Sequence, residues 1–134
     1  MRAYIAVSFS KRNELANEIN SIKKVLQDNQ IDYVVFIEKH QFTPDKENEM
    51  MKTALEEIDK CSILIAETTD KGIGIGIEAG YAKAKDKPVI YMRKNKAEHA
   101  TTLSGLSDFK VIYNDTDDLE MQLAGIIKNY INPH

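Results

Sequence analysis

Ser62–Asp86 reads SILIAETTDKGIGIGIEAGYAKAKD, and the order of its parts decides the fold. Ser62–Glu67 is a short apolar run of the kind that forms a strand covered on both faces. Thr68, Thr69, Asp70 and Lys71 make a turn cluster, after which glycine takes every second position at Gly72, Gly74 and Gly76. Ile77–Lys85 reads as a helix, and its small residues Ala79, Gly80, Ala82 and Ala84 let it lie close on a sheet. Strand, glycine turn and helix in this order belong to a crossover unit of a parallel sheet. The spacing predicts Glu78 in the first turn of that helix, where unpaired amides and the helix dipole keep a carboxylate ionised. Glycines let a ligand approach the backbone closely. Glu78 is therefore the candidate for chemistry, with Gly72, Gly74 and Gly76 around the ligand. The alternative is an acid that only steadies its own helix.

Upstream, Ala3–Phe9 reads as a first buried strand, and Ser10–Asp28 as a helix with Leu15, Ile19, Ile22, Val25 and Leu26 at helical spacing. Asp32–Ile37 is a second strand, and Thr43-Pro44-Asp45 a helix start with a capping hydroxyl and Pro at the first helical position. That helix presents Met51, Ala54, Leu55 and Ile58 on one face. Downstream, Pro88–Met92 and Phe109–Tyr113 are further strands, separated by a polar stretch with one apolar element at Leu103–Leu106. A last helix opens at Thr116-Asp117-Asp118 and carries Leu119, Leu123, Ile126, Ile127 and Ile131. With no repeat or linker, residues 1–134 read as a single domain. The expected fold is α/β, a five-stranded parallel sheet with helices on both faces, Rossmann-like or flavodoxin-like. Ligands of such sheets sit beyond the carboxyl ends of the strands. On that rim lie Ser8–Lys11, Glu38–Phe42, Glu67–Glu78, Arg93–Asn95 and Asn114–Thr116.

Lys+Arg 18 against Asp+Glu 21 gives a net charge of −3, which argues against a nucleic acid polymer or an anionic membrane as partner. The single Cys61 excludes an internal disulfide and points to a reducing, cytoplasmic setting, with Cys61 itself a small buried apolar residue. No run is long and apolar enough to span a membrane, and no signal peptide precedes the first strand, so the chain is expected to be soluble. His99 and His134 lie too far apart to suggest a metal site, and neither a metal nor a cofactor is expected. Arg93-Lys94-Asn95-Lys96 reads as a solvated loop. Gly74-x-Gly76-x-x-Ala79 matches a dinucleotide fingerprint, but it follows the third strand and would set Glu78 against a pyrophosphate. A phosphoacceptor receiver needs acids where the first strand here ends in Ser8-Phe9-Ser10.

Ser8-Phe9-Ser10-Lys11 offers two hydroxyls, helix-end amides and an ammonium, a set suited to a monophosphate. Ser10 is equally a natural N-cap of the first helix. His40 follows the second strand and can stack on a base, hydrogen-bond it, or act as an acid; it is equally a loop His without a task.

The segments Ile58–Glu67, Gly74–Ala82 and Lys87–Ile90 resemble the nucleoside 2-deoxyribosyltransferase family, nearer its 2'-deoxynucleoside 5'-phosphate N-hydrolase branch. The likeness runs from Tyr4 to about Tyr113 and is specific between Ile58 and Ile90. It implies a homodimer whose subunits complete each other's sites, a small-molecule nucleotide or nucleoside as partner, and cleavage of the bond between base and deoxyribose. By the same resemblance Glu78 is the nucleophile, Ser8 helps hold a 5'-phosphate, and Tyr4 matches an aromatic of the first strand. Val7 and Ser10 stand where the family's phosphate turn has Gly and Arg. The family also places an Asp, which assists proton transfer at the base, 13 residues before the acid ending strand three; here that position is Ala54. Glu47 and Glu57 lie within one or two helical turns of it. The expected function is hydrolysis of (2'-deoxy)nucleoside 5'-monophosphates through Glu78. The alternatives are a nucleotide sensor that lost turnover at Ala54, or base exchange between nucleosides.

Overall fold

A computed structural model describes residues 1–133; His134 lies outside the described residues. Five strands, β1 (Arg2–Val7), β2 (Asp32–Val35), β3 (Ile63–Glu67), β4 (Val89–Lys94) and β5 (Phe109–Tyr113), form one sheet in the order β2-β1-β3-β4-β5. All neighbours are parallel, with Ala3 opposite Ile63 and Val7 opposite Glu67 across the central pair. The strands are largely apolar because both faces are covered, with charges such as Arg2, Asp32, Arg93 and Lys94 kept to strand ends and Lys110 exposed on the edge strand β5. Helices α1 (Ala16–Asp28) and α6 (Thr116–Ile126) pack on one face, where Ile19, Ile22, Leu119 and Leu123 meet Ile5, Ile65 and Ile90. On the other, α3 (Glu47–Asp59), α4 (Ile73–Ala84) and α5 (Thr101–Leu106) bring Ala54, Ile58, Ile75, Ala79 and Leu103 against Tyr4, Leu64 and Tyr91. In β1, β3 and β4 alternate residues feed alternate cores, as the two-residue period of a strand requires.

Several boundaries differ from the sequence expectation, each for a physical reason. β1 stops at Val7, and Phe9–Lys11 is a 3-10 turn, so α1 starts at Ala16 with Leu15 at the cap. Ser10 is therefore not the N-cap of that helix. β2 stops at Val35 because Phe36–Lys39 winds into a short helix, α2, which lays the Phe36 ring 6.4 Å from Tyr4 and 4.9 Å from His40. β4 runs on to Lys94, since β5 beside it still offers partners as far as Tyr113. Thr43 and Pro44 open a 3-10 turn, and α3 proper begins at Glu47.

The correction that matters most concerns α4. It begins at Ile73, with Gly72 as N-cap, so Gly74 and Gly76 are helical residues and Glu78 sits in the second turn. Each interior glycine costs a helix about 1 kcal/mol relative to alanine. Packing of Ile75, only 3% exposed, against the sheet holds these turns in place despite that cost. Apart from the adjoining residues and the helix's own backbone, no heavy atom of the described residues lies within 4 Å of the place a Cβ would take at either Gly74 or Gly76.

Candidate active site

The sheet order places the switch point between β1 and β3: the helix after β1 crosses one face and the helix after β3 the other. A cavity of about 670 Å³ opens there, at the carboxyl ends of the strands. Two tethers set its β3 side. The buried Glu67 carboxylate accepts the Tyr113 hydroxyl and, at 2.6 Å, the Thr69 amide, while Thr68 Oγ1 donates to the Met92 carbonyl at 3.0 Å. Burial pushes the Glu67 carboxyl up, against the bonds from Tyr113 and Thr69. Neither Glu67 nor Tyr113 lines the cavity; they hold the turn that leads to Gly72.

Glu78 is half-buried on the wall, and the fully buried Tyr4 donates its hydroxyl to the Glu78 carboxylate. Burial raises the carboxyl and the Tyr4 bond lowers it, leaving it at about 7. This overturns the expectation of a first-turn acid kept ionised by the helix end: the dipole fades within the first turn, and desolvation dominates. Burial, together with the Glu78 charge, pushes the Tyr4 hydroxyl far above the usual phenol range, so it remains a donor. The pair is a carboxylate poised to be anionic near neutral pH, with a fixed donor beside it.

Ser8 is on the wall, with its Oγ 2.7 Å from Asp70 Oδ2. Ser10 is exposed outside the cavity and reaches the same carboxylate oxygen at 3.2 Å. Lys11 pairs with Glu14 at 3.3 Å and does not line the cavity; the cation that does is Arg12. Arg12 Nη1 donates to the Ile37 carbonyl at 3.1 Å, and its guanidinium lies 5.1 Å from the centre of the Phe9 ring. Sequence reasoning missed both Arg12 and Asp70. The β1–β3 register carried the signal for Asp70, since Val7 opposite Glu67 brings the residues just beyond each strand together.

His40 lines the cavity, its ring centre 4.9 Å from Phe36 and 6.2 Å from Phe42. Its Nε2 lies 2.7 Å from Glu57 Oε2. Glu57, 2% exposed, also takes Lys39 at 2.8 Å and Arg2 at 3.4 Å. Burial alone would raise this carboxyl, but the bonds from Lys39 and His40 and the Arg2 charge outweigh it and hold it at about 2. Glu57 is thus a fixed anion behind the wall and cannot supply a proton near neutral pH, and Glu47 is exposed at the start of α3. Ala54 is on the wall itself, 2% exposed, beside Met50 and Met51.

The cavity brings together Tyr4, Ser8, His40, Gly72, Gly74 and Glu78. Gly76 faces a separate hollow of about 520 Å³ lined also by His99, Thr101 and Thr102. Among the described residues no three His, Cys, Asp or Glu side chains cluster as metal ligands, and no helix is long and apolar enough to cross a membrane.

Solved structures share this architecture. The CMP N-glycosidase BcmB of Clostridium botulinum superposes with a TM-score of 0.65 at 21% identity, over 92% of this chain and 98% of its own. A 2-deoxyribosyltransferase of Bacillus psychrosaccharolyticus gives 0.70 at 19% identity over 90% of each chain, and a conserved protein of Enterococcus faecalis 0.71 at 16% over 93% and 98%. At these identities the likeness is one of fold. No curated protein matches the sequence. The family model described as nucleoside 2-deoxyribosyltransferase matches residues 3–129, nearly the whole sheet and its helices. With Glu78 and Tyr4 paired at the switch point inside that span, this chain belongs to the nucleoside 2-deoxyribosyltransferase family.

Proposed function

We propose that the protein hydrolyses the N-glycosidic bond of (2'-deoxy)nucleoside 5'-monophosphates, with Glu78 as nucleophile. The observation that carries this reading is the Glu78 carboxylate, bonded to Tyr4, on the wall of a cavity of about 670 Å³. As the C1'–N bond breaks, its electron pair leaves with the base and positive charge grows at C1'. An adjacent carboxylate stabilises that charge and bonds to C1' before water attacks, as in retaining glycosidases. The same developing charge favours the ionised form of a carboxyl that titrates near 7. Arg12 is the guanidinium available to a phosphate, with Ser8 beside it. The name of the superposed Clostridium botulinum protein, a CMP N-glycosidase, supports the same substrate class.

Asp70 favours a second reading. Its carboxylate, bonded to Ser8 and Ser10, suits a neutral 5'-hydroxyl better than a dianion, which fits base exchange between nucleosides. Ala54 on the wall is the observation behind the remaining alternative, a binding protein without turnover. A homodimer belongs to the proposal as well. Ile73, 86% exposed, and Ile77, 51% exposed, put an apolar face of α4 beside the site, and sedimentation velocity reads the oligomeric state. A cytoplasmic location is proposed on the lone buried thiol of Cys61.

The experiment is chromatography of free base released from ribo- and deoxyribonucleoside 5'-monophosphates and from the free nucleosides, with Glu78→Gln alongside. Release from monophosphates that vanishes in the variant supports the proposal. Release only when a second base is present supports exchange. Nucleotide binding without release identifies a sensor, and an active Gln variant removes Glu78 from the chemistry.

A further inference from the structure

We propose that His40, held by Glu57, is the acid that protonates the departing base, taking the place left apolar by Ala54. The assignment rests on the N-glycosidase reading above. A nucleobase leaves poorly as an anion, so the side of the cavity opposite the nucleophile needs a proton donor. On the stretch of wall from α2 to α3, Phe36, Phe42, Met50, Met51 and Ala54 have no proton to donate. His40 is the one titratable wall residue among these aromatic and apolar groups.

The hydrogen-bond pattern fixes the tautomer. Glu57 is ionised and can only accept, so the His40 Nε2, 2.7 Å away, carries a hydrogen. Nδ1 is then the nitrogen that gains or loses the working proton, and it has no partner among the described residues. The charges around the ring are Glu57 in contact, Lys39 and Arg2 on that carboxylate, and Glu78 and Arg12 elsewhere on the wall. Lys39 and Arg2 keep Glu57 anionic, and Glu57 in turn orients the imidazole through the 2.7 Å contact. Glu57 is thus a positioning residue and His40 the group that meets the substrate.

The steps balance. The C1'–N electron pair passes to the base, the proton on His40 Nδ1 goes to the base, and a Glu78 oxygen bonds to C1'. Water then attacks C1', the C1'–O bond to Glu78 breaks, and the water's proton returns to Nδ1. The net change is nucleotide plus water to free base plus sugar phosphate.

The test compares two leaving groups on the full-length protein. A natural nucleoside 5'-monophosphate needs its base protonated, whereas a 4-nitrophenyl furanoside 5'-phosphate releases a stable phenolate without help. His40→Gln, which keeps an amide donor for Glu57, should slow first-turnover base release by ~100- to 10,000-fold and change the first-turnover burst of nitrophenolate, which precedes the water step, by less than about tenfold. Retained nitrophenolate release also shows that the variant is folded. Glu57→Gln should move the ratio of the two rates in the same direction by a smaller factor. Equal loss with both substrates, or unimpaired base release, overturns the role of His40 while leaving Glu78 catalysis standing. If the unaltered protein releases neither leaving group, the N-glycosidase reading falls, and the His40 assignment with it.

Discussion

Replacing Tyr4 by Phe isolates the single hydrogen bond described for Glu78. Tyr4 is 0% exposed, so Phe fills the same space and removes one oxygen. With the donor gone, burial acts on the Glu78 carboxyl unopposed, and its titration rises from about 7. A hydrogen bond to a charged group contributes roughly 1.5–3 kcal/mol, and 1.36 kcal/mol corresponds to about one pH unit, so the midpoint moves to about 8–9. The nucleophile must be ionised, so the part of the pH–rate profile set by Glu78 rises through about 7 in the unaltered enzyme and through about 8–9 in the variant; the acid that protonates the base is common to both, so the ratio of their rates isolates Glu78. At pH 7 the ionised fraction then falls from about one half to between about one tenth and one hundredth, a loss of roughly 5- to 50-fold. By about pH 9 the difference should close to about twofold or less. Initial rates of base release between about pH 6 and pH 9.5 read both limbs. A deficit of constant size across that range would refute the argument, since it would mean that Tyr4 acts on the transition state or the substrate and not on the ionisation of Glu78.

Three further outcomes follow from the same geometry. Glu78 titrates at about 7 when folded against 4.5 ordinarily, so the native state binds more protons than the unfolded chain between those values and stability falls as pH rises through them. Glu78→Gln lacks this term, and urea titrations should show it gaining on the unaltered protein by up to about 3 kcal/mol above pH 7, with no gain below about pH 4. Gly76→Ala adds, inside a helix, a methyl that meets nothing within 4 Å beyond that helix; thermal melts should show stabilisation of up to about 1 kcal/mol, and destabilisation would contradict the helical placement of Gly76. Arg12→Ala should raise KM for monophosphates by about tenfold or more, a charged hydrogen bond being worth roughly 1.5–3 kcal/mol, while Lys11→Ala should leave it within about twofold. The reverse order would return the phosphate to the 3-10 turn.

The sheet was legible because burial on both faces leaves a plain mark, unbroken runs such as Ile63–Ala66, and because these alternate with helical periodicity. β5 matches its expected bounds, Phe109–Tyr113, residue for residue. What misled was glycine. Three of them at alternate positions look like a flexible turn, and local propensity does favour one, but propensity gives way to tertiary packing once Ile75 is buried against the sheet. The helix then starts four residues before the expected Ile77, and the electrostatics of Glu78 change with it. Asp70 and Arg12 were illegible for another reason. Their significance depends on which loops converge, and that follows from the strand order β2-β1-β3, which no local pattern encodes.

Glu57 shows the same principle acting on chemistry. Read along α3, it is one acid of the adjacent pair Glu56 and Glu57 and a possible stand-in for the Asp absent at Ala54. In the fold it is the one that is 2% exposed, and an anion so buried persists only with partners. It has three: Arg2 from β1, Lys39 from the end of α2, and His40 beyond it. Those partners hold Glu57 at about 2 and so remove it as a proton donor. The same contacts pin the segment after α2 against α3, which sets the His40 ring beside Phe36 and Phe42 on the cavity wall. An acid that cannot itself donate thereby positions the neighbour to which we assign that role, and the departure at Ala54 is compatible with turnover without any second carboxyl on the wall beside Glu78.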